Sequence, residues 1–129
     1  MRRQTYLVGL CSALTIALVL ESQTVSAQVC ASEAPPPHYL LTADTVDWAI
    51  QVGSGKGCVR GLRRRDIVLE KVTLTAPPKF GSVQLVGPGF RYTANAGFHG
   101  EDSFNVQVSG LAGKIRGTST IRIAVSVKE

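Results

Sequence analysis

Residues 80–109 read FGSVQLVGPGFRYTANAGFHGEDSFNVQVS. Val83 and Leu85 alternate with polar neighbours, as do Phe90 and Tyr92, and then Phe104, Val106 and Val108. A period of two over runs this short predicts half-buried strands, because successive side chains of a strand point to opposite faces. The intervening stretches, residues 86–89 (VGPG) and 95–102 (NAGFHGED), are rich in residues that tolerate positive φ and so predict turns.

Working outward, residues 45–52 alternate Val46, Trp48, Ile50 and Val52 against Asp47, Ala49 and Gln51, and predict a strand with Trp48 as a core anchor. Residues 39–42 are a weaker start to the same strand. Residues 67–75 predict another strand, with Val68, Val72 and Leu74 on one face and Glu70 breaking the alternation. Pro77 and Pro78 end it, since proline cannot donate to a ladder. Residues 110–117 (GLAGKIRG) predict a hairpin loop, and residues 118–127 a final strand with Ile121, Ile123, Val125 and Val127 on one face. No helical period is present after the first 27 residues. The predicted fold is all-β, an immunoglobulin-like antiparallel β-sandwich of about seven strands, because each sheet buries one face and needs a second sheet to cover it.

The first residues predict a leader. Arg2 and Arg3 precede an apolar run over residues 6–20, and Val25-Ser26-Ala27 places small residues at a cleavage site. The run is shorter than the roughly 20 residues of a spanning helix, and Glu21 closes it. Residues 1–27 are therefore expected to be a signal peptide, residues 28–38 a proline-rich linker, and residues 39–129 the domain. The expected location is periplasmic or secreted, with no membrane span after cleavage.

Removing two arginines and one glutamate with the leader lowers the formal net charge from +5 to +4. That balance suits solubility and gives no nucleic-acid footprint in an exported chain. Cys11 leaves with the leader, so Cys30 and Cys58 remain, and an even pair in an exported chain predicts a disulfide. Two cysteines with only two histidines make a poor zinc set.

Residues 53–66 (GSGKGCVRGLRRRD) are glycine-rich and basic. They are not a phosphate loop, since Lys56 is followed by Gly57 and no helical pattern follows. Lys56, Arg60, Arg63, Arg64 and Arg65 are candidate ligands for an anion, a glycan or an acidic surface. The competing reading is a solvated loop and strand whose charges discourage edge pairing. His99, Glu101 and Asp102 are neighbours in one turn and are not expected to converge as metal ligands or as an acid/base set. No Gly-x-Ser-x-Gly elbow is present, and no constellation supports an enzyme.

From about residue 77 to 127 the chain resembles bacterial immunoglobulin-like, cadherin-like domains of surface proteins. Gly81, Val83, Phe90, Tyr92, Thr93, Asn95, Gly97, Phe98, Gly100, Asp102, Ser103 and Phe104 carry the resemblance. Ala94 stands where the family usually has proline, and the acidic interdomain motifs that bind calcium are missing. The resemblance implies a sandwich and a structural or interaction role, with another envelope protein or a surface glycan as partner. Neither calcium nor any cofactor is expected. Read as residues alone, Phe98 is expected to plug the end of the sandwich between Gly97 and Gly100, Asp102 to accept bonds from loop amides, and the Tyr92 hydroxyl to bond to backbone.

Overall fold

A computed structural model describes residues 36–129. Residues 1–35, which include the expected leader, most of the linker and Cys30, lie outside the described part. Seven strands follow one another: β1 (Asp44–Gly53), β2 (Gly57–Gly61), β3 (Ile67–Ala76), β4 (Gly81–Val86), β5 (Gly89–Ala94), β6 (Gly100–Ala112) and β7 (Ile115–Lys128). They form a four-stranded sheet in the order β1-β7-β6-β3 and a three-stranded sheet in the order β2-β5-β4. The two sheets pack face to face, as expected for a sandwich. One pairing departs from the antiparallel expectation: β1 runs parallel to β7, in unbroken register from Asp44 opposite Ser119 to Gly53 opposite Lys128.

The core lies between the sheets. Trp48, Ile50 and Val52 of β1, Phe104, Val106 and Val108 of β6, and Ile121, Ile123, Val125 and Val127 of β7 line one inner face. Phe90 and Tyr92 of β5 oppose them, both fully buried. Phe90 sits edge-on to Trp48 at 6.0 Å and to Phe104 at 5.1 Å, while Tyr92 stacks on Phe104 at 5.7 Å. These offset and edge-to-face geometries suit the ring quadrupoles and add to the burial of apolar area.

Three sequence expectations need correction. Val68 does not share the inner face with Val72 and Leu74; it is 62 % exposed. The register of β3 against β6 shifts between Leu69 and Lys71, so Glu70 is an extra residue that reverses the alternation. Ile67 and Leu69 therefore face inward before the irregularity, and Val72 and Leu74 after it. Second, residues 57–61 form a true strand, β2, inside the stretch read mainly as a basic loop. Third, residues 110–117 are not a loop. β6 runs on to Ala112 and β7 starts at Ile115, with Gly110 opposite Gly117 in the ladder.

That glycine pair reflects close backbone approach. A Cβ on Gly110 would collide with the Val68 carbonyl, and one on Gly117 with the Leu41 carbonyl. Residues 39–42 form no strand; they cross the end of the four-stranded sheet as a bend. Leu41 and Ala43 adopt left-handed φ of 58° and 59° there, a conformation that costs a non-glycine residue energy. The Asp44 carboxylate holds them in place, accepting from the amides of Leu40 (3.0 Å) and Thr42 (3.2 Å) and from the Ser119 hydroxyl (2.5 Å). Ser119 in turn accepts from the Leu41 amide at 2.9 Å.

Candidate functional site

The residues of the signature loop assemble at one end of the sandwich. The alternation of β6 places Asp102 in the inward row with Phe104 and Val106, so this carboxylate is buried. It accepts from the amides of Lys79 and Phe80 (3.0 Å each), from the Ser103 amide (2.9 Å) and from the Tyr92 hydroxyl (2.8 Å). Burial pushes the Asp102 pKa up, but these four bonds favour the charged form more strongly and hold it below the usual carboxylate value. Burial, followed by the bond to Asp102 and its charge, raises the Tyr92 pKa far above the ordinary phenol value. The Tyr92 hydroxyl thus bonds to a carboxylate instead of the expected backbone.

Asn95 joins the loop through its backbone, donating to the Phe80 carbonyl at 2.9 Å and accepting from the Phe98 amide at 3.2 Å. Gly97 and Gly100 take φ of 81° and 130°, which only glycine adopts freely. Phe98 packs on the rim of the core and stacks on Phe80 at 4.3 Å. It is half-buried instead of enclosed. His99 and Glu101 point outward, and His99 faces Glu129 at 3.6 Å. Glu101 and His99 therefore do not converge with Asp102. Among the described residues no group of three His, Cys, Asp or Glu side chains could hold a metal ion.

The five basic residues do not assemble into one patch. Arg60 lies in the ladder opposite Phe90, on the inner face of the three-stranded sheet, with its guanidinium 5.2 Å from the Trp48 ring centre. Arg64 is engaged with the chain's own entry segment. It donates to the Tyr39 carbonyl, meets Nε2 of His38 and Oδ2 of Asp66 at 2.6 Å each, and lies 5.4 Å from the centre of the Tyr39 ring. Tyr39, fully buried, donates its hydroxyl to the Leu62 carbonyl at 2.5 Å. Burial raises the pKa of that hydroxyl. Lys56, Arg63 and Arg65 are exposed. Cys58 is fully buried on β2, opposite Tyr92 in the ladder.

Among the described residues two shallow depressions stand out. One, of about 370 Å³, lies on the outer face of the four-stranded sheet over Ala49, Ala124 and Ser103, beside Asn105 and the two-bond Asp47–Arg122 pair. The other, of about 250 Å³, lies at the edge of β3 between Arg63, Lys71 and the Gly87-Pro88 turn, with Glu70 on its rim. Neither gathers a nucleophile with a base.

The sequence matches the bacterial Ig domain family over residues 19–126. The chain belongs to the bacterial Ig domain family. The match takes in the strands β1 to β6 and most of β7, and so extends well beyond the signature stretch. No curated protein matches the chain. Among solved structures, this Ig domain is similar to a sialyltransferase from Photobacterium damsela. The identity is 10 % and the TM-score 0.40, over 65 % of this chain and 18 % of the other. The chain thus spans less than a fifth of that enzyme, whose activity does not transfer to it.

The Ig domain offers an ionised carboxylate saturated by internal donors, and Arg60 and Arg64 turned onto the fold. The Asp44–Ser119 hub and the Tyr39–Arg64 clasp went unread in the sequence, because their partners stand 75 and 25 residues apart. Asp44 bonds backwards, to the amides of Leu40 and Thr42, whereas an Asx-type bond runs forward, so no familiar local pattern marked it.

Proposed function

We propose that this chain is an exported, non-catalytic interaction module of the bacterial cell envelope, which binds another protein or a surface. Membership of the bacterial Ig domain family supports a structural or binding role. The observation that carries the reading is the internal use of the Asp102 carboxylate and the Tyr92 hydroxyl at the signature end. Asp102 faces four donors of its own chain, so it has no role left as a base or a ligand. What faces outward is strand edge and sheet face, the surfaces used in β-strand addition. Export rests on the leader-like residues 1–27, and a Cys30–Cys58 bridge belongs to the same reading. Among the described residues no helix is long and apolar enough to cross a membrane.

Affinity capture from envelope extract with the tagged chain tests this. One reproducible partner is expected, retained when Asp102 is replaced by Asn in folded protein. Turnover of any substrate class that is abolished by Asp102→Asn would overturn it. Calcium is no part of the reading: the thermal midpoint should be the same in chelator and in millimolar calcium, since a ligand bound only by the folded state would raise it.

A second reading, binding of anions or anionic glycans, now rests on Lys56, Arg63 and Arg65, the exposed members of the five basic residues between 56 and 65. Replacing Arg63 and Arg65 with Ser should leave the captured partner unchanged. Loss of the partner in that variant would favour the anion reading.

A further inference from the structure

β2 is the end strand of its sheet, with only β5 beside it among the described residues. Along an antiparallel ladder, pairs that exchange both backbone bonds alternate with pairs that exchange none. The Ala94 amide donates to the Lys56 carbonyl at 3.2 Å, and the Leu62 amide to the Pro88 carbonyl at 2.9 Å. These bonds continue the register of β2 on β5 at its two ends, so Cys58 and Arg60 are the residues of β2 that bond to β5. Gly57, Val59 and Gly61 therefore turn their amides and carbonyls away from β5, towards the outer edge. That edge is occupied: Gly57, Cys58 and Val59 each have a further partner. Cys58 is also fully buried, although its strand ends the sheet.

We infer that the outer edge of β2 is the docking edge for the chain's own N-terminal arm, with residues 29–31 laid along Gly57, Cys58 and Val59 and Cys30 opposite Cys58. The inference rests on the export reading, since a bridge between the two cysteines needs an oxidising compartment. Three observations choose this occupant. Of the three cysteines, only Cys30 and Cys58 remain once the leader is removed. The backbone parity also closes. A residue opposite Cys58 has Gly57 and Val59 on either side, with their outward amides and carbonyls facing it. One short segment centred on Cys30 thus accounts for all three engaged residues. The path of the chain fits as well. Tyr39 donates its hydroxyl to the Leu62 carbonyl at 2.5 Å, so the chain enters the domain beside the end of β2. Cys30 lies nine positions before Tyr39, a reach of about 30 Å when extended. The way back along the strand from Leu62 to Cys58 is four residues, about 13 Å. Docked there, the arm closes β2 by strand addition from within the chain, and the bridge holds it in place.

Amide exchange of the oxidised protein purified from the envelope, read residue by residue, tests this. The Val59 amide should be protected like that of Arg60, which bonds to β5. Cys30→Ser should speed exchange at Gly57 and Val59 at least about tenfold, since a short edge strand opens locally once its tether is cut. Reduction of the parent should do the same. Exchange at Cys58 and Arg60 should stay as it was, which also checks that β2 remains folded on β5. Digestion without reduction should yield Cys30 and Cys58 in linked peptides from a monomer. Should Cys30→Ser fail the folding check, the oxidised parent decides, and it must show both Val59 protection and the linked peptides. Val59 protection that survives Cys30→Ser in folded protein overturns the inference, as does a bridge between two copies, seen as a dimer without reductant. A Cys30–Cys58 link with an unprotected Val59 amide overturns the docking alone and leaves the export reading standing.

Discussion

The Tyr92 hydroxyl donates to Oδ2 of Asp102 at 2.8 Å, across two strands that belong to different sheets. The same carboxylate binds the amides of Lys79 and Phe80, which lead into β4. One side chain thereby ties the four-stranded sheet, the three-stranded sheet and the connection between them.

This arrangement predicts acid sensitivity. The folded-state pKa of Asp102 lies below its ordinary value, as does that of Asp44, whose burial is outweighed by bonds from Ser119, Leu40, Thr42 and its own amide. A depressed carboxyl contributes stability that is fully present above the unfolded value, about 3.9. That stability is lost as pH falls from there through the lower folded value. The unfolding midpoint in denaturant should be flat above about pH 5 and drop below pH 4, near the unfolded carboxyl value. Asp102→Asn should be destabilised by about 3 kcal/mol at neutral pH, as a broken buried network is, and should show a shallower acid limb. An acid limb identical to that of the parent would mean that Asp102 does not titrate with folding.

At Gly117 the prediction is steric. The Cβ of Gly117→Ala would strike the carbonyl of Leu41, which cannot move without disturbing the left-handed pair Leu41 and Ala43. A loss of about 2 kcal/mol is expected, the range of overpacking against backbone. Amide exchange should show residues 40–44 opening first. A neutral substitution would mean that this segment does not lie against β7 as described.

Phe98→Ala removes a half-buried ring stacked on Phe80. The cost should be about 1.5 kcal/mol, less than for a fully enclosed aromatic. Phe104→Ala, in the enclosed core, should cost about 4 kcal/mol. Equal losses in denaturant titrations would place Phe98 deeper than the structure does.

On the proposed reading, in which the leader is removed on export, the mature protein should contain no free thiol. Alkylation without reduction, followed by mass measurement, is expected to add no label, and alkylation after reduction two. Closing the loop from Cys30 to Cys58 is worth about 3–4 kcal/mol in the chain-entropy account, so reduction should lower the unfolding midpoint. Two labels on freshly exported, unreduced protein would rule the bridge out.

The alternation of Phe90 with Tyr92, of Phe104 with Val106 and Val108, and of Ile121 through Val127 was legible because a strand repeats every two residues and one face is buried. β2 was hidden. Its inward residues are Cys58 and Arg60 between glycines, so no apolar alternation marks it. The outward turn of Val68 was hidden too, because the irregularity at Glu70 depends on how β3 meets β6 and not on either strand alone.

By itself, then, the sequence determined the strand content, the sandwich class and the signature loop. These depend on local periodicity and on residue types at fixed short spacing. Only the tertiary structure decided which charges are engaged and which are open. Arg60 turned in over Trp48, Arg64 closed on Tyr39 and His38, and Asp102 found Tyr92 in the other sheet. The physical reason is that a polar group's partner is set by which strands lie side by side. That order, with β7 between β1 and β6, joins residues about 75 positions apart along the chain.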